Sequence, residues 1–277
     1  MSLARSVLKF CCLAITFCVL PGCGGKLVRL GDQAAADSTG GGSGAGGSSG
    51  AGGSTTAAAG SDMVLGTGGD SGGSSDACAH RQVLAREVLW IGDSWVTIPD
   101  GMLRARVRDL AVAAQTIDDG EDYINSAAAA SNMAAVAKQY ETRESGATKV
   151  KVLLMDGGTW DPIAAQMSGA SVSAAIDSSI STFQQFLAKV ASDGTVEKIV
   201  YFLVPELANV PGVATMRPRL RQACAESTVP CYFIDLQPSW IGHPEYTAAD
   251  GFQASAAGAI VIADLIWETM QKNCIAQ

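Results

Sequence analysis

The sequence predicts an α/β fold, a three-layer α/β/α sandwich around a mainly parallel sheet, and three observations carry that expectation. Short apolar runs of three to seven residues recur at Val88–Ile91, Tyr123–Asn125 (the weakest), Val150–Met155, Lys198–Val204 and Cys231–Asp235. Stretches with helical periodicity lie between and after them, near Met102–Gln115, Ser131–Glu144, Val172–Ala191, Thr215–Glu226 and Ser255–Lys272. The runs are apolar throughout rather than alternating, as expected of strands covered on both faces. Strands alternating with helices give a parallel sheet, here five-stranded and of flavodoxin-like order.

The first run sets the site. Glu87-Val88-Leu89-Trp90-Ile91-Gly92-Asp93-Ser94-Trp95 reads as a buried strand, a tight Gly-Asp turn and a serine where a helix can begin. Such a turn lifts a hydroxyl clear of the sheet edge, beside backbone N–H groups able to hold an anion. In parallel sheets ligands bind beyond the carboxyl ends of the strands. Asp93-Ser94, Asn125-Ser126, the stretch from Asp156 to Asp161 and the loop from Asp235 to Asp250 all follow apolar runs, which points to one site on one edge.

The ends of the 277-residue chain differ from its middle. Residues 1–22 carry Arg5 and Lys9, no acid, and an apolar core from Phe10 to Leu20, the pattern of a secretory signal too short to span a membrane well. Leu20-Pro21-Gly22-Cys23 resembles a bacterial lipobox, with Pro21 an uncommon choice, and implies lipidation of Cys23. The expected location is therefore the cell envelope, anchored to a membrane through Cys23, with plain secretion as the alternative. Residues 23–77, rich in Gly, Ser, Ala and Thr, cannot bury enough apolar surface to offset their ordering entropy and read as a tether. The folded domain is expected at 78–277.

Loss of the signal removes two bases and no acid, so the formal charge moves from −8 to −10. That excludes nucleic acid as a natural partner; oligomeric state is left open. Four cysteines remain for the domain, and an even number in an exported chain argues for disulfides. The favoured pairs are Cys224–Cys231, closing a short loop, and Cys78–Cys274, tying the ends of the domain. Zinc is a weak rival, because this region has no C-x-x-C and only His80 and His243 could assist. Asp93, Asp156 and Asp161 invite a magnesium or calcium reading, but Asp93 belongs to the serine turn. No metal and no cofactor is called for.

From Val88 to Gln271 the chain resembles the SGNH, or GDSL, hydrolase family. Gly92-Asp93-Ser94-Trp95 is close to its Gly-Asp-Ser-Leu block, and Asp250-Gly251-Phe252-Gln253-Ala254-Ser255-Ala256-Ala257-Gly258 follows its Asp-Gly-x-His-Pro-(Ser/Thr)-x-x-Gly. The resemblance implies the SGNH hydrolase fold, with Ser94 as nucleophile, Asp93 bracing the turn and Asp250 orienting the base. Three departures stand out. Gln253 occupies the position of the catalytic histidine. Ala130, in Asn125-Ser126-Ala127-Ala128-Ala129-Ala130, takes the place of an oxyanion glycine, and alanine resists positive φ. Thr159 or Trp160 stands where an asparagine donor belongs, and each can donate one hydrogen bond.

A serine hydroxyl is a poor nucleophile without a base, and an amide cannot take its proton near neutral pH. His243, seven positions before Asp250, could replace that base, because seven residues reach up to about 25 Å, and Asp250, Asp235 or Glu245 could orient it. Two functions follow. The first is an extracytoplasmic serine esterase or deacylase acting on an ester, with Ser94, His243 and Asp250 catalytic. Ala130, Thr159 and Trp160 would hold the oxyanion, and Asp93 and Gln253 would complete the site. The second is an inactive relative that binds a carbohydrate or envelope component in the same cleft.

Overall fold

The computed structural model describes residues 78, 82–97, 101–144, 146, 148 and onward to 276. The signal at 1–22, Cys23, the tether at 23–77 and His80 lie outside the described residues.

Five parallel strands form one sheet: β1 Val88–Ile91, β2 Ile124–Asn125, β3 Val152–Met155, β4 Lys198–Leu203 and β5 Cys231–Asp235, in the order β2-β1-β3-β4-β5. Every residue of β1 and β3 is buried, which is why those runs are apolar throughout rather than alternating. Leu89 pairs in register with Leu153 on one side and with Ile124 on the other.

Two layers of helix cover the sheet. Helix α2 (Met102–Ala113) packs on the terminal helix, α8 (Ala256–Lys272). Across the sheet, α3 (Met133–Glu144), α4 (Trp160–Ser168), α5 (Val172–Asp193) and α6 (Val213–Ala225) pack in succession about α5. Ser171 and Ser255 cap α5 and α8, their hydroxyls accepting from Ala174 N–H and Gly258 N–H. Phe183, Tyr201 and Phe233 form a chain of aromatic contacts between α5, β4 and β5.

Two helices go beyond the sequence reading, α4 and α7 (Gln237–Trp240), while the short α1 (Ser94–Thr97) begins at the serine where a helix was expected. Helix α4 had a legible signal, with Pro162 in its first turn and Gly169 in the left-handed conformation at its end (φ 71°). The disulfides join Cys78 to Cys274 and Cys224 to Cys231, as expected. No described helix is long and apolar enough to cross a membrane.

The chain lays β2 to one side of β1 and β3 to the other, so its direction of travel reverses between β1 and β3. A crevice opens at the carboxyl ends of strands flanking such a reversal. Ser94 follows β1, and the segment from Gly157 to Trp160 follows β3.

Candidate active site

The serine turn is held from several sides. Gly92 has φ 146°, and a Cβ there would sit 1.8 Å from Asp156 Oδ1, so only glycine fits. Gln139 of α3 clamps both backbone groups of Gly92, accepting from its N–H at 2.7 Å and donating to its carbonyl at 3.0 Å. Nothing in the sequence pattern singled out Gln139, which reads there as one more polar position on an amphipathic helix.

Asp93 is buried, and each of its carboxylate oxygens accepts a hydrogen bond. Its N–H donates to Asp156 Oδ1 at 2.7 Å, while its carboxylate accepts from Trp95 N–H at 3.1 Å and from the Thr159 hydroxyl at 3.3 Å. Asp93 therefore braces the turn, as the resemblance implies. Thr159, buried, lines the cavity in front of Ser94 and directs its hydroxyl to Asp93. Ser94 follows, half-buried, its hydroxyl without a partner among the described residues.

A cavity of about 640 Å³ opens in front of Ser94, bounded by Trp95, Trp160, Asn209, Phe252 and Gln253, with Ile163, Met167 and Val210 as its apolar wall. Trp160 also walls a second cavity of about 450 Å³, lined by Ala130, Asn132, Asp161 and Ser178. Asp161 carries a raised pKa, chiefly from burial, and accepts from Met133 N–H at 2.9 Å and the Ser179 hydroxyl at 3.3 Å.

The closing loop keeps the framework of its motif. Asp250 accepts from Phe252 N–H at 2.8 Å and Gln253 N–H at 3.2 Å, and Gly251 takes φ 70° between them. Gly258 lies so close to Tyr246 that a Cβ would meet its carbonyl oxygen at 2.2 Å. Trp95 ties this loop to the serine turn, donating from its indole to the Phe252 carbonyl at 3.0 Å. Gln253 consequently faces the same cavity as Ser94, with its side-chain amide unpartnered among the described residues.

The residues proposed to act with Ser94 are not all brought together. His243 is absent from the cavity lining. Its ring is 47% exposed, stacks on Tyr246 at 4.6 Å between centroids, and bonds through Nδ1 to Glu245 at 2.8 Å. That hydrogen bond lowers the pKa of Glu245. Glu245, not Asp250, is the carboxylate that holds His243, because the Asp250 oxygen is occupied by its own loop. Asp235 is occupied too, by Arg217 at 3.1 Å and Arg221 at 2.6 Å. Ala130 departs from expectation in the opposite sense. It adopts φ 58°, the glycine-like conformation alanine was expected to resist, and lines the second cavity rather than the first.

Solved structures of similar fold are esterases and hydrolases. LAE5, an α/β hydrolase enzyme from the metagenome of Lake Arreo, Spain, superposes with a TM-score of 0.55 at 16% identity, covering 71% of this chain and 99% of that one. Axe2, an acetylxylan esterase from Geobacillus stearothermophilus, gives 0.54 at 16% identity, covering 68% and 95%. The psychrotrophic esterase EstA from Pseudoalteromonas sp. gives 0.52 at 10% identity, covering 67% and 97%. The likeness is one of fold. No family model matches the sequence, and no curated protein matches it.

Proposed function

We propose that this chain is an SGNH-type domain whose serine cleft binds an ester or carbohydrate ligand and turns it over far more slowly than an esterase would. The observation that carries the reading is Gln253, an amide facing the cavity beside Ser94 in the place of the family's histidine. Without a base the serine proton has no acceptor and the leaving group no donor. Positioned acid–base help is worth about 10²–10⁴-fold in general, and the serine–histidine unit of a protease about 10⁶-fold. The groups that remain suit binding: side-chain amides at Gln253 and Asn209 with no partner among the described residues, a tryptophan wall at Trp160, and an apolar side at Ile163 and Met167. Acetylated xylo-oligosaccharides are the first ligands to try, since acetylxylan esterases share the fold. Export, and anchoring through lipidated Cys23, belong to the same proposal.

A second reading, a working esterase, is favoured by the His243–Glu245 pair. With the Glu245 carboxylate accepting from Nδ1–H, Nε2 is left as the basic nitrogen, as in the base half of a catalytic triad. That loop would have to swing to bring it to Ser94. Hydrolysis of p-nitrophenyl acetate separates the two. Equal background rates in wild type, Ser94→Ala and His243→Ala support binding, whereas loss of rate in both variants would establish the esterase. Gln253→His should raise the rate by about 10²-fold or more over wild type if a base is what the site lacks.

A further inference from the structure

Behind Ser94, two carboxyl groups are buried against each other. Asp156 is 0% exposed and Asp93 2%, and neither forms an ion pair with a described residue. Their bonding is unequal. Both Asp93 oxygens accept hydrogen bonds, from Trp95 N–H and the Thr159 hydroxyl. Asp156 accepts Asp93 N–H at Oδ1, but its Oδ2 is buried with no donor. The other titratable groups near the pair bring no positive charge. Asp161 of α4 is taken up by Met133 N–H and Ser179, and Tyr201 of β4 donates to the Gly157 carbonyl at 2.8 Å. From α3, the neutral Gln139 is spent on Gly92 and Ser131.

Two adjoining carboxylates with no counter-ion among the described residues cannot both stay ionised in a buried site. A lone pair buried without a donor is equally unfavourable. A single proton removes both problems. We propose that Asp156 is a neutral acid in the folded protein, donating from Oδ2 to the Asp93 carboxylate, and that this acid–carboxylate pair positions the turn presenting Ser94. One carboxyl group then grips Asp93 twice, by its backbone N–H and by its side chain. Asp156 is thus a positioning residue, whether or not Ser94 turns a substrate over. Burial first, and the adjoining Asp93 second, push the Asp156 pKa well above the ordinary carboxylate range.

The linkage has a definite sign. A group whose folded pKa is raised contributes stability that is fully present below its unfolded pKa, about 3.9 for Asp. That contribution is lost as pH rises through the folded pKa, with the folding constant falling about tenfold per pH unit in between. Urea unfolding of the intact chain between pH 4 and 8 reads this slope. Asp156→Asn keeps the Oδ1 acceptor and places an N–H where the acid proton stood. It should therefore fold at least as stably as wild type at pH 7, with a slope shallower by one proton. Asp161, whose pKa is also raised, is present in both proteins and cancels from the difference. Equal slopes would overturn the proposal. Infrared spectroscopy of the wild type at pH 7 is a check that survives failure of the variant to fold: a protonated-carboxyl band is expected, and its absence would show Asp156 ionised. The positioning role is read from the near-ultraviolet circular dichroism, to which Trp95, 5.8 Å from Trp240, contributes, as the difference from the same measurement on Trp95→Phe. The signal should persist in Asp156→Asn and change in Asp156→Ala; an unchanged signal in Asp156→Ala would sink that role.

Discussion

At the scale of single residues, the site departs from the SGNH motifs that its sequence resembles, and the consequences differ in kind. Gln253 for histidine removes a proton acceptor and leaves the shape of the loop intact, because Asp250 organises that loop through backbone N–H groups alone. Ala130 for glycine leaves an N–H in place but holds an L-residue in the left-handed region. That conformation costs an L-residue about 1–2 kcal/mol relative to the right-handed one, against which glycine's greater unfolded-state entropy must be set. Ala130→Gly should therefore stabilise the domain by about 0.5–1 kcal/mol, measured as a shift in urea midpoint at constant m-value. A loss of stability instead would mean that the Ala130 methyl makes packing contacts outweighing its strain.

Elements place those residues. The serine turn depends on four of them meeting: Gly92 directly follows β1, Asp156 directly follows β3, α3 contributes Gln139, and α4 begins just after Thr159. The terminal helix matters as much, because its capping residue also holds the closing loop. Ser255 accepts from Gly258 N–H at 3.2 Å and donates to the Glu245 carbonyl at 2.6 Å. Ser255→Ala should cost more than the roughly 1 kcal/mol of an ordinary cap, about 1.5–2.5 kcal/mol, because a carbonyl loses its donor as well. Thermal unfolding would read the cost. Ligand binding should weaken in parallel, since the same loop carries Gln253.

The whole molecule is closed by its disulfides, and the two differ in reach. Cys78–Cys274 spans 196 residues and Cys224–Cys231 only 7. In the chain-entropy model the long closure is worth about 5 kcal/mol and the short one about 2.5 kcal/mol. Replacing Cys78 and Cys274 together by serine should lower stability more than replacing Cys224 and Cys231, in denaturant titrations of oxidised protein. The reverse order would place the stabilisation in native packing around Cys224, which is buried.

What the sequence by itself determined is whatever depends on local periodicity and covalent spacing. The apolar runs at Val88–Ile91 and Cys231–Asp235 are strands with unchanged bounds; in the first, burial of every residue writes itself directly into composition, and the second is an edge strand that is only partly buried. Pro162 and Gly169 also marked α4, a helix legible but not read. The loop from Asp250 to Gly258 was readable in the same way, since its aspartate, glycines and serine each answer a nearby backbone demand. Only the tertiary structure decided what those pieces meet. Thr159 faces Asp93 across 66 positions of sequence, and Gln139 reaches Gly92 across 47. Asp156 loses its solvent only once β1 and β3 lie side by side, leaving its Oδ2 without a donor among the described residues. His243 carried the same ambiguity. Proximity in sequence to Asp250 allowed it to approach Ser94, but stacking on Tyr246 and a carboxylate two residues away hold its ring in an exposed position outside the cavity lining. A side chain's reach follows from the chain; its partner follows from packing.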